Sequence, residues 1–310
     1  MALKLVFMGT PEFALASLNK LAEAGHELCA VVTAPDRPAG RGQHLRPSAV
    51  KQRALQLNLP LLQPEDLRDQ AFQEQLQQYR ADLFAVVAFR ILPPEVFALP
   101  RLGTVNLHAS LLPKYRGAAP INWALIRGEA ESGATTFFID EQVDTGLWLM
   151  QCRVPIGPDT TAGELHDRLA EAGSDLLVET VAGLESGLLH SKPQEGEVTR
   201  APKLNKEMAR IDWHNPAAAI HNLVRGLSPY PGAWTTWRGR VLKILATRPH
   251  LTSSELQPGF LFPGSYREEL LIATGQGFLE LLALQPEGGR AMTAAEFRRG
   301  HAIHQAEKLD

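Results

Sequence analysis

The sequence predicts an α/β protein of two domains, and three observations predict it. Short apolar runs alternate with helical spacing through the first half of the chain. The alternation breaks near Gly187, and the remainder of the chain is mostly strand-like runs separated by turn residues. A length of 310 residues favours two domains over one. The expected division is a larger first domain over residues 1–188, a linker over 189–205 and a smaller domain over 206–310.

Residues 3–8 and 27–33 read as buried strands. Between them residues 11–24 have helical spacing, with Pro11 near the start and Gly25 just after the end. Residues 35–47 form a Gly/Pro/Arg-rich stretch without periodicity, read as a loop, and a loop that long and basic is usually functional. Helical and strand-like pieces continue at 64–80, 82–89, 103–109, 122–128, 134–140 and 147–156, and a long amphipathic stretch occupies 161–184. Such alternation predicts a Rossmann-like, mostly parallel sheet covered by helices, with ligands bound beyond the carboxyl ends of its strands. Residues 191–204 are polar and carry Pro193, Gly196 and Pro202, as a linker would. Beyond them a helix is expected at 216–227 and strands at 233–237, 241–247, 269–274 and 278–285, a small β-barrel or sandwich. The tail, 288–310, should hold a short helix, to which no role is assigned.

Composition excludes several classes. Apolar residues make up 45% and charged residues 21%, an ordinary globular balance. No apolar run approaches the roughly 18 residues that span a bilayer, so no membrane association is expected. The first eight residues read as a buried strand, because a secretory signal needs a longer apolar region and a small-residue cleavage site, and the expected location is the cytoplasm of a bacterium. Cys29 and Cys152 stand far apart in apolar segments, and no Cys or His pair has ligand spacing, so no metal is expected. Nothing demands more than a monomer. Net charge is −3, yet residues 33–53 hold Arg37, Arg41, Arg46, Lys51 and Arg53 against Asp36. Residues 200–250 hold nine basic residues, among them Lys203, Lys206 and Arg210, against Glu207 and Asp212. Clusters like these suit a nucleic-acid contact, and also an ordinary solvated face.

The chemistry-bearing residues begin at the strand 103–105. Asn106 and His108 lie two apart, so on a strand both side chains leave one face. An amide donor beside an imidazole suits acyl transfer: the amide meets an oxyanion as it forms, and the imidazole moves a proton on or off an attacking amine. The same pair at a strand end can simply satisfy local backbone groups. Asp144 comes after the strand 134–139 in Asp144-Thr145-Gly146, and a carboxylate there can fix the tautomer and stabilise the charged form of an imidazole. Read alone, Asp-Thr-Gly is also a turn. An aspartic protease would need a second such loop, which is missing.

In order and spacing, Asn106-Leu107-His108-Ala109-Ser110-Leu111-Leu112-Pro113-Lys114-Tyr115-Arg116-Gly117 with Asp144-Thr145-Gly146 resembles the 10-formyltetrahydrofolate-dependent formyltransferases. Gly9-Thr10-Pro11-Glu12-Phe13, the basic stretch Pro35 to Gly42, and Lys206 through Ala209-Arg210-Ile211-Asp212-Trp213 extend the resemblance to those members that formylate methionyl-tRNA. It covers essentially the whole chain, weakening after about Gln285. The resemblance implies that Asn106 stabilises the tetrahedral intermediate, His108 handles the proton and Asp144 orients and tunes His108. It implies that Ser110, Leu111, Leu112 and Pro113 line the folate site, and that the donor is 10-formyltetrahydrofolate, leaving as tetrahydrofolate. The acceptor would be methionyl initiator tRNA. Arg41 would approach its acceptor end, with Arg37 and Arg46 beside it in the loop and Lys203, Lys206 and Arg210 leading into an OB-like second domain that grips it. One departure falls at Ala88-Phe89-Arg90-Ile91-Leu92-Pro93, shorter than the common pattern and charged, which alters the expected pterin pocket near Arg90.

Three rivals are weighed on residues. A nucleotide-linked amino sugar or glycinamide ribonucleotide as acceptor keeps the catalytic set but leaves the basic segments without a purpose. A non-catalytic RNA-binding protein explains those segments but not Asn106, His108 and Asp144. A dinucleotide-dependent oxidoreductase requires Gly-x-Gly-x-x-Gly after the first strand, where Gly9-Thr10-Pro11 stands instead.

Overall fold

A computed structural model describes residues 2–39, 44–250, 252, 256–263, 269–303 and 307–310. Two compact units emerge, one of residues 1–120, 132–155 and 166–201, the other of 121–131, 156–165 and 202–310.

The first unit is built on β1 (Lys4–Gly9), α1 (Phe13–Glu23), β2 (Glu27–Val32), β3 (Arg37–Ala39), β4 (His44–Arg46), α2 (Ala49–Gln56), β5 (Leu61–Leu62), α3 (Gln70–Gln78), β6 (Leu83–Val87), α4 (Pro94–Phe97) and β7 (Thr104–His108). Next along the chain α5 (Pro120–Ile126) falls, but for its first residue, in the second unit, and after it come β8 (Glu131–Phe138), β9 (Trp148–Pro155) and the long α6 (Ala162–Glu185). Seven strands form one sheet in the order β5-β2-β1-β6-β7-β8-β9. From β5 to β7 every pairing is parallel, while β8 runs antiparallel to β7, with Asn106 opposite Phe137 and His108 opposite Thr135.

The central strands are apolar on both faces because both are covered. Val6, Met8, Ala30, Val32, Phe84 and Val86 turn to one face, where Phe72 and Leu76 of α3 and Val96 of α4 meet them. On α1 the buried residues Phe13, Ala14, Ser17, Leu18 and Leu21 form one helical stripe, and the helix lies against β2 and β6. Each fully buried Leu, Val or Phe contributes about 1.5–3 kcal/mol. Ser48 caps α2 by accepting from the Lys51 N–H (3.0 Å). On α6, Gly173 sits against Leu107 and Thr180 bonds Thr136 of β8 at 2.8 Å.

The stretch 35–47, expected as a loop, contains the antiparallel hairpin β3–β4, with Arg37 opposite Arg46 and Pro38 opposite Leu45. Three-residue strands carrying arginine, proline and histidine show no alternation of apolar and polar residues, so periodicity could not reveal them. Arg41 lies outside the described residues.

The second unit adds α7 (Ala217–Gly226), β10 (Ala233–Trp237), β11 (Arg240–His250), β12 (Leu261–Pro263), β13 (Leu270–Ala273), β14 (Phe278–Pro286), β15 (Met292–Thr293) and α8 (Ala294–Gly300). Its strands make a curled antiparallel sheet, a half-barrel in the order β10-β11-β14-β13-β12 with β15 on β14. Trp213, Ile220, Val224, Ile244, Leu279 and Phe297 fill the core, and the buried Trp213 indole donates to Thr235 Oγ1 (3.1 Å). No helix among the described residues is long and apolar enough to cross a membrane.

Candidate active site

β7 presents Asn106 and His108 on the same face, as period two requires. His108 is 8% exposed, and its Nε2 lies 2.9 Å from the Tyr115 carbonyl oxygen. A carbonyl only accepts, so Nε2 carries the proton and Nδ1 of the neutral ring is a free base. Tyr115, rather than a carboxylate, thus sets the tautomer. The turn from Ser110 to Lys114 aims that carbonyl: Ser110 Oγ donates to Lys114 O (2.6 Å), Thr135 Oγ1 donates to Ser110 O (2.6 Å), and Leu112-Pro113 is a cis peptide.

Asp144 stands with Oδ2 3.7 Å from His108 Nδ1. The Gly117 N–H donates to the same oxygen at 2.8 Å, a charge-assisted bond to a carboxylate only 8% exposed. Because β8 is antiparallel, its end faces the start of β7, and the turn 139–147 must fold back to bring Asp144 to the imidazole. Asp144 sits there at φ 59°, a left-handed conformation costing about 1–2 kcal/mol for a residue with a Cβ. Two glycines permit the geometry. A Cβ on Gly117, at φ 124°, would lie 2.7 Å from Ala201 O, and one on Gly146 would lie 1.7 Å from Phe138 O. Gly146→Ala is therefore expected to displace the turn, costing about 1–3 kcal/mol as an overpacked site does. Thermal melting checks the first part. Turnover, which should fall further than that loss of stability explains, checks the second.

The Asn106 Oδ1 is buried without a hydrogen-bond partner among the described residues. Elsewhere in the first unit Glu65, Leu67, Arg68, Arg90, Ile91 and Leu92 line much of a cavity of about 300 Å³, which Glu141, in the turn that carries Asp144, also borders. Arg90 donates to the carbonyls of Pro64 (2.8 Å) and Glu65 (2.9 Å), while its Nε is buried without a partner among the described residues. Burial and the like charge of Arg37 draw its guanidinium below the usual arginine range, against the pull of Asp66. Ile91, 77% exposed, forms an apolar lip. Ser110, Leu111, Leu112 and Pro113, expected at the folate site, do not line this cavity; the Ser110 hydroxyl is spent inside its own turn.

The basic residues fall in two places. Arg37 and Arg46 face each other across β3–β4, both exposed, and like charges placed opposite repel. In the second unit Lys203, Lys206 and Arg210 are exposed, and the last two hold their charges 5.7 and 5.8 Å from the Trp234 ring centre. Cys29 and Cys152 are half-buried, and burial raises both thiols above the usual cysteine range, so neither is a ready nucleophile.

Residues 3–181 match the family described as formyl transferase, and residues 203–302 match the formyl transferase C-terminal domain. The chain belongs to the formyl transferase family. Methionyl-tRNA formyltransferase of Bacteroides fragilis is 44% identical over 99% of this chain and 98% of its own length. That of Solibacter usitatus is 47% identical over 99% and 98%. Among solved structures, an N-formyltransferase from Helicobacter canadensis, in complex with folinic acid and dTDP-3-aminofucose, superposes with a TM-score of 0.67 at 21% identity. It covers 90% of this chain and 98% of that one. HypX from Aquifex aeolicus, in complex with tetrahydrofolic acid, gives 0.66 at 18% identity over 96% of this chain, which spans about half (47%) of that longer protein. At such identities the two structures bear on the formyl transferase fold alone.

Proposed function

We propose that the chain transfers the formyl group of 10-formyltetrahydrofolate to the α-amino group of methionyl initiator tRNA. The observation that carries this reading is the free Nδ1 of His108, tautomer set by Tyr115 and carboxylate of Asp144 alongside. An attacking amine must lose a proton, and Nδ1 takes it. The 3.7 Å to Asp144 Oδ2 then stabilises the imidazolium. Asn106 supplies an amide N–H to the acyl oxygen as negative charge grows there. The folate supplies the activated formyl group and leaves as tetrahydrofolate, its nitrogen taking up a proton as its bond to the formyl carbon breaks.

The cavity beside Arg90 suits a flat polar heterocycle: an apolar lip at Ile91, and in Arg90 Nε a buried donor still lacking a partner. Relatives named for methionyl-tRNA support the acceptor, and the match to the formyl transferase family supports a formyl donor of the kind proposed. The facing Arg37 and Arg46 support a polyanion, whose phosphates relieve their repulsion. In this reading Lys203, Lys206 and Arg210 lead tRNA onto the curled, OB-like sheet of the second unit, and the chain acts as a monomer in the cytoplasm.

The test is transfer of labelled formyl from 10-formyltetrahydrofolate to methionyl initiator tRNA, methionyl elongator tRNA and a nucleotide amino sugar side by side. Rapid transfer to the initiator alone is expected. Transfer to the sugar but not to tRNA would replace the acceptor while leaving the catalytic set in place. Substituting both Arg37 and Arg46 by Ala should weaken tRNA binding and flatten the dependence of log affinity on log salt by about 1.4–1.8, the sum for two phosphate contacts. A binding titration at several salt concentrations checks it, and an unchanged slope would take the hairpin off the tRNA path.

A further inference from the structure

Residues 192–201 are polar and mostly exposed, and between Lys192 and Arg200 only Gln194 and Thr199 are half-buried. Both ends are nevertheless pinned to the first unit. At one end Lys192 and Trp148 exchange backbone hydrogen bonds of 2.9 Å, and the Trp148 indole donates to Pro193 O (3.0 Å). At the other the Arg116 N–H donates to Thr199 O (2.9 Å), the Ala201 N–H to Arg116 O (2.7 Å) and the Tyr115 N–H to Thr199 Oγ1 (2.9 Å). The segment therefore runs as a strap from the start of β9 to the Tyr115–Gly117 backbone, which holds both His108 and Asp144.

Gln194 sits midway. Its Nε2 donates to Asp144 O (3.0 Å) and to Gly146 O (2.9 Å), and its Oε1 accepts from Arg116 Nε (3.2 Å) and Nη2 (2.7 Å). An amide has two donor hydrogens and two acceptor sites, and here all four are used. The carbonyls it grips belong to the turn that keeps Asp144 in its left-handed conformation, so the carboxylate's position depends on them.

We propose that Gln194 is a positioning residue for Asp144, and that the strap 192–201 holds the carboxylate and the Tyr115 carbonyl in register with the two nitrogens of His108. The proposal deepens the formyl-transfer reading and rests on it. Gln194 touches no reacting atom: it acts through the backbone of the Asp144 turn, and a misplacement of about 1 Å can lower a rate about 10²-fold.

The test compares Gln194→Ala, Gln194→Glu, Asp144→Ala and the Asp144→Ala/Gln194→Ala double variant in formyl transfer, with amide hydrogen exchange measured on each. Gln194→Ala should lower kcat by about 10-fold to 10²-fold with KM for either substrate little changed. Gln194→Glu keeps size and an oxygen for Arg116 but loses both donors, so it should be as slow as the alanine variant. In the double variant the loss should equal that of Asp144→Ala alone, because a residue acting through Asp144 has nothing left to position. The Gly117 amide, which donates to Asp144, should exchange at least about tenfold faster in Gln194→Ala while amides of β1 and β6 keep their protection. Normal turnover in the Glu variant, additive losses in the cycle, or an unchanged Gly117 amide would each overturn the proposal. The exchange arm uses no substrate, so a parent chain that transfers no formyl group would sink the functional reading while that arm still decides the strap.

Discussion

Replacing His108 with Gln is expected to lower kcat for formyl transfer by about 10²–10⁴-fold, the range general-base catalysis supplies. Glutamine is the informative choice because its amide N–H can keep the bond to Tyr115 O that Nε2 makes at 2.9 Å. What disappears is Nδ1, the only proton acceptor on that ring, and with it the cation that Asp144 would face. A free α-amino group has a pKa of about 7.7–8.0, so a useful fraction is already neutral at working pH. The proton that must leave is one of the two the nitrogen carries once it has bonded to the formyl carbon, and its removal has to keep pace with bond formation. Asp144 raises the worth of the base: a pair of unit charges about 4 Å apart at a partly buried site gains up to about 4 kcal/mol. KM for tRNA should change little, because the proposed nucleic-acid contacts, Arg37, Arg46 and the basic residues of the second unit, do not include His108. Single-turnover rates with saturating tRNA check it. A His108→Gln enzyme within tenfold of the parent would mean that water, not the imidazole, takes the proton.

The residues that were legible in the sequence are those whose side chains repeat with a period. Strands β1, β2 and β6 announce themselves as short apolar runs because they are buried on both faces, while in β7 Asn106 and His108 alternate with Val105 and Leu107, and α1 and α7 show as stripes at helical spacing. Asn106 and His108 share a face for the same reason. The direction of β8 was not legible: six consecutive buried residues read alike whichever way the strand runs, so the need for a returning turn to carry Asp144 was hidden. Hidden for a deeper reason was what positions the site. Tyr115 acts through its carbonyl and Gly117 through its N–H, groups that every residue or nearly every residue possesses. Gln194 lies in a polar stretch that composition alone marks as a linker, and one glutamine among exposed neighbours gives no pattern. Ser110 to Pro113 are recognisable by order, but the turn they form, closed by the Ser110 hydroxyl on Lys114 O, rests on backbone groups that no sequence pattern reveals.

For Asn106 the expected result is a graded pair. Asn106→Ala should lower kcat by about 10²–10³-fold, as loss of one preorganised oxyanion donor does, equivalent to about 2.7–4 kcal/mol of barrier. Asn106→Asp keeps the size of the side chain and reverses the electrostatics, so an ionised carboxylate would face an oxygen that is gaining negative charge. It should therefore be slower than the alanine variant, although alanine removes more atoms. The parent structure explains why folding should survive both changes. The Asn106 Oδ1 has no partner among the described residues, so removing that oxygen breaks no hydrogen bond there, and β7 remains held by its ladders to β6 and β8. Measuring kcat for both variants beside thermal melting separates the two contributions. An Asp variant faster than the Ala variant would mean that residue 106 fills space or accepts a hydrogen bond, and that the oxyanion donor must be sought elsewhere on the strand-end backbone.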